Sequence, residues 1–203
     1  AFTEPGALIP TIPDGPGQSA RIVNNSNAPR ELELPNNITL GALQIDENQS
    51  ISIQNAGGTV SLIMDSTSGN ASIYVGSAAG RGTHFISTDV DLFDSLDIQV
   101  TSDSPGSGLG STLNFDGPII TSGAPKEVNI SGNFNNTNNY AGATNISAGG
   151  ILRVNASGGL GTGSANVSHG RLEINVPDPF LSLSGQINVG PGGEVVFNPG
   201  PGP

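Results

Sequence analysis

The chain has 203 residues, including 30 Gly and 15 Pro, and is only 4% aromatic, so it allows one elongated domain with a thin interior of Val, Ile and Leu. A net charge of −11 with six scattered Lys and Arg residues excludes a phosphate-tracking stripe, and with it nucleic acid as a partner. Cysteine is absent, which excludes disulfides and thiolate chemistry, and every apolar run is far shorter than the roughly 18 residues of a membrane span.

Residues 1–17 carry Pro5, Pro10, Pro13 and Pro16, which cannot supply a regular ladder of N–H donors, and read as an extended arm. Period-two alternation then begins at Arg21-Ile22-Val23 and continues through Glu31 to Leu34 and Ile38 to Leu40. Leu43, Ile45, Ile51 and Ile53 form the next strand pair, around the polar corner Asp46-Glu47-Asn48-Gln49. Val60, Leu62 and Met64, then Ile73 and Val75, then Phe85 extend the pattern, with breaks at Gly57-Gly58 and across 76–80. Phe93, Leu96, Ile98 and Val100 follow, and Leu113, Phe115 and Ile119-Ile120 lead into Val128-Asn129-Ile130. No amphipathic helical stretch interrupts them.

One phrase is then written three times: 144–154, 165–174 and 187–197, each a short strand, a Gly-containing corner and a second strand. Ile146, Val167 and Val189 recur at intervals of 21 and 22 residues, the length of one turn of a β-solenoid. A sandwich has no reason to restate one motif at constant spacing, whereas stacked parallel coils need like residues above like. The fold expected is therefore all-β, a parallel β-solenoid (β-helix) over residues 18–197, with Pro-rich termini at 1–17 and 198–203. The first hundred residues repeat less closely, which predicts a capping or broader first section.

Gly110-Ser111-Thr112-Leu113-Asn114-Phe115-Asp116-Gly117, the stretch from Asn138 through Tyr140 to Gly149, and Leu160-Gly161-Thr162-Gly163 together resemble the autotransporter-associated β-strand repeat of bacterial surface proteins. Ile38 to Ile45 is similar to the entry strands of such proteins. The likeness spans about residues 37–197 and is most specific from Tyr140 to Leu172. It implies a secreted, right-handed parallel β-solenoid with a surface or structural role, and it carries over no catalytic residue. No translocator barrel or anchor follows in this sequence, so the expectation is a released piece, a partner-held subunit or a self-assembling protein, with Ala1 as the mature start if it is exported.

Candidate chemistry is sparse. Asp89, Asp91, Asp94 and Asp97 crowd one segment, and Asp89, Asp91 and Asp94 are the candidates for Ca²⁺, a hard cation that wants six to eight oxygens; a solvated strand face explains them equally. His84 and His169 each stand alone, which disfavours zinc or a catalytic triad. Neither a Gly-x-Ser-x-Gly elbow nor a phosphate-binding loop occurs, and one lysine with no tryptophan argues against a carbohydrate-active β-helix enzyme. Nine Asn-x-Ser/Thr sequons, at Asn24, Asn37, Asn48, Asn70, Asn129, Asn135, Asn145, Asn155 and Asn166, suggest glycosylation; strands of period two also place Asn and Ser two apart without any glycan.

The expected function is a non-enzymatic, extracellular or cell-surface structural subunit. It would stack on copies of itself head to tail through bare solenoid ends, with the arms as clasps. The alternative is a monomeric adhesin-type passenger that binds a ligand on a host or neighbouring cell.

Overall fold

The computed structural model describes residues 13–23, 28–46, 49–76, 82–101, 111–121, 126–131, 133–136, 143–147, 150–154, 160, 163–175 and 185–198. These form twenty strands and no helix, arranged as three sheets in which every pairing is parallel. The architecture is consistent with a β-helix or solenoid.

The chain visits the sheets in rotation. Strands β1 (Ser19–Val23), β2 (Arg30–Leu34) and β3 (Ile38–Leu40) open sheets A, B and C in turn. The next circuits are β4 (Ala42–Asp46), β5 (Ile51–Asn55) and β6 (Ser61–Met64), then β7 (Ala71–Val75), β8 (Thr83–Ile86) and β9 (Asp89–Leu92), then β10 (Leu96–Val100), β11 (Thr112–Phe115) and β12 (Ile119–Thr121). Among the described residues sheet C ends at β12. Later circuits add one strand to sheet A and one to sheet B: β13 (Val128–Ser131) and β14 (Asn133–Asn136), β15 (Thr144–Ile146) and β16 (Ile151–Val154), β17 (Ala165–Val167) and β18 (Arg171–Ile174), β19 (Ile187–Val189) and β20 (Glu194–Phe197). The first section is thus three-sided, which is the physical content of its looser repeat.

Alternation decides which residues face the core. On β4, Leu43 and Ile45 are buried while Gln44 and Asp46 are not, and β7 and β10 repeat the pattern with Ile73, Val75, Ile98 and Val100. Parallel register then stacks like on like: Ile98 pairs with Ile130, Ile130 with Ile146, Ile146 with Val167 and Val167 with Val189. The three restated phrases are therefore the last three circuits. Their corners are tight because coils nearly touch there. A Cβ on Gly150 would sit 2.7 Å from the Ile130 carbonyl oxygen, and one on Gly170 would sit 2.8 Å from Ile146 Cγ2, so a side chain at either position displaces the coil beneath.

Two expectations change. Phe85 faces outward on β8, and the inward positions are His84 and Ile86. Phe93 lies in the bend after β9 and is 44% exposed. The described part of the N-terminal arm, residues 13–17, is docked on the chain's own third sheet. Gly15 N–H donates to the Thr39 carbonyl (2.9 Å), Thr39 N–H donates to the Asp14 carboxylate (2.8 Å) and Gly17 N–H donates to Asp65 O (2.8 Å), which closes the free edge of β3. Residues 1–12 and 199–203 lie outside the described residues.

Candidate functional site

Asp89 and Asp91 lie on β9 in sheet C, Asp94 in the following bend accepts a hydrogen bond from Ser66 N–H at 2.8 Å, and Asp97 lies on β10 in sheet A. Among the described residues no three His, Cys, Asp or Glu side chains gather closely enough to hold a metal ion.

His84 is a core residue. It is fully buried opposite Leu113, and neither ring nitrogen has a hydrogen-bond partner among the described residues. Burial lowers its pKa from 6.5 to about 4, so the ring is neutral at physiological pH. His169 sits exposed at a corner with φ 52°, its Nδ1 3.2 Å from Ser168 Oγ.

The outward row of sheet A carries what reading the sequence missed. Asn188 Nδ2 donates to Asn166 Oδ1 (2.9 Å), Asn166 to Asn145 (2.8 Å), Asn145 to Asn129 (2.7 Å), and Asn129 to Asp97 Oδ1 (2.7 Å). Asn70 Nδ2 reaches the same carboxylate oxygen at 2.9 Å. From Asn188 to Asn129 the ladder has a direction, each amide donating toward the N-terminal end until a carboxylate that only accepts terminates it. A shorter rung joins Asn198 Nδ2 to Asn175 Oδ1 at 3.1 Å. Sequons Asn70, Asn129, Asn145 and Asn166 thus donate their side-chain amides to protein acceptors. Asn37 is exposed and accepts from Ser61 N–H at 3.0 Å. Asn24, Asn48, Asn155 and the Asn135 side chain lie outside the described residues.

Sheet B bears a ladder of charge. Arg153 Nε donates to Glu173 Oε2 (2.8 Å), Arg171 Nε lies 3.1 Å from Glu173 Oε1 without hydrogen-bond alignment, and 3.6 Å from Glu194 Oε2. Nearer the first circuit, an open groove of about 540 Å³ is lined by Pro29, Arg30, Glu31, Ser50, Ser52 and Phe85.

The two ends of the stack are physically different. At the head, Ala20, Leu34, Ile38 and Leu40 are all less than 7% exposed, and Asp14 and Gly15 close sheet C. At the tail, Val189 and Phe197 are each 56% exposed, although their register partners Val167 and Ile174 are buried. Full burial of such side chains contributes roughly 1.5–3 kcal/mol each, so the tail leaves a substantial part of that unrealised. Strands β19 and β20 also present sheet edges, as do β1 and β2 at the head. Among the described residues no helix is long and apolar enough to cross a membrane. Compared with family models, curated proteins and solved structures, the chain matches none of them.

Proposed function

We propose that the protein is an extracellular structural subunit, a right-handed β-solenoid of the autotransporter-repeat type, that stacks head to tail on copies of itself into a filament or surface layer. The right hand follows from strand twist, which favours right-handed crossovers between parallel strands. The observation that carries the reading is the exposed pair Val189 and Phe197 at the tail, whose register partners Val167 and Ile174 are buried. A contact between unlike ends does not close on itself and therefore propagates. The surface-ligand reading finds its foothold in the groove around Phe85, where an aromatic ring sits among polar side chains.

Electron microscopy of the native protein tests the proposal. Eight strands in each of sheets A and B at about 4.8 Å spacing give an axial repeat of about 38 Å per subunit. Filaments with that repeat are the expected result; isolated rods at all concentrations would overturn stacking and favour ligand binding at the groove.

A further inference from the structure

We propose that the copies stack in a single register set by the rows already running through the molecule, Val189 of one copy over Ala20 of the next and Phe197 over Leu32. The inference rests on the stacking reading above and adds its geometry.

In sheet A, the inward row that starts at Ala20 passes through Leu43, Ile73 and Ile130 and finishes at Val189. In sheet B, the row that starts at Leu32 passes through Ile53, Ile86 and Phe115 and finishes at Phe197. Continuing both rows into a second copy satisfies the two sheets at once. The two exposed side chains, Val189 and Phe197, then meet a small alanine and a half-buried leucine. The third sheet does not interfere at the head, where Asp14 and Gly15 close it, and among the described residues its last strand is β12.

A slip of one residue fails on packing and a slip of two on charge. A slip of one residue turns Val189 and Phe197 outward and brings Asn188 into the core. A slip of two sets Glu194 directly opposite Glu31, a like-charge pair. The row register instead places Glu194, 60% exposed at its side chain, opposite Pro29 and beside Arg30. It also brings Ser19 next to Asn188. The serine hydroxyl is then positioned to donate to Asn188 Oδ1, carrying the amide ladder across the junction.

The chain has no cysteine, so engineered thiols report without background. Neighbouring parallel strands hold their Cα atoms about 4.8 Å apart, within disulfide range. The double variant Asn188→Cys/Ser19→Cys is compared under mild oxidation with Asn188→Cys/Arg21→Cys, whose second thiol is about 6.6 Å further along the strand. Non-reducing gels should show a ladder of covalent multimers forming at least tenfold faster from the Ser19 pair. A faster ladder from the Arg21 pair, with filaments seen by microscopy, overturns the register and leaves stacking intact. Absence of both multimers and filaments, with parent protein also unassembled, overturns stacking itself. If circular dichroism shows the Ser19 variant has lost its sheet, Val189→Cys/Ala20→Cys probes the same register from the inward row.

Discussion

His84 shows how one residue couples this core to pH. It replaces an aliphatic side chain on the inward face of β8, opposite Leu113, and its two nitrogens find no partner among the described residues. Burial holds its pKa at about 4, whereas the unfolded chain titrates near 6.5. Between those values the unfolded state binds the extra proton, so stability is complete above pH 6.5 and falls as pH drops toward 4. The full span is worth about 3 kcal/mol. His84→Leu should flatten that slope and raise the urea midpoint at pH 5 more than at pH 7.5. An unchanged difference between the two midpoints would show that the histidine does not sense pH. The lone histidine was legible in the sequence; its burial was not, because Phe85 beside it is the more apolar residue and misdirects the assignment of faces.

The Asn ladder operates at the level of whole strands. Asn129-Ile130-Ser131, Asn145-Ile146-Ser147 and Asn166-Val167-Ser168 each place an inward aliphatic between two outward polar residues, and the stacked amides give the Asn at that phase a structural use. A run of sequons is thus what a laddered strand of this period produces, and the recurrence of Asn at 145, 166 and 188 was the available signal. Asn145 donates to Asn129, lies 3.3 Å from Glu127 Oε2 and accepts from Asn166, whereas Asn188 makes one such bond at the exposed end. Asn145→Ala should therefore cost about 1–3 kcal/mol by urea denaturation and Asn188→Ala clearly less. Equal losses would mean the rungs act independently of their place in the ladder. Intact-mass measurement separates the other use of these residues, since a glycan on Asn145 would raise the mass above the 20.4 kDa of the polypeptide. The parallel stacking of the last circuits was readable from alternation and repeat length. The third sheet was not, since Ile38, Leu62 and Val90 come into register only through offsets that vary from circuit to circuit.

Across the whole molecule, each circuit touches only its neighbours, so stability is distributed along one axis and the ends depend on what lies beyond them. The head has an internal solution: Asp14 and Gly15 bond to β3, and Ala20 and Leu34 are buried. At the tail, β19 and β20 each pair on one side, and Val189 and Phe197 remain more than half exposed. Local opening should therefore be easiest there and hardest in the middle circuits, where Ile73, Ile98 and Phe115 are fully enclosed. Hydrogen exchange followed by mass spectrometry should find the amides of β19 and β20 exchanging at least tenfold faster than those of β7 and β10 in dilute protein. In assembled material the same tail amides should slow toward the rate of the middle circuits, because a second copy supplies the missing neighbour. Tail exchange that stays fast inside filaments would place the junction elsewhere, on a lateral face of the solenoid, and would remove Val189 and Phe197 from the interface.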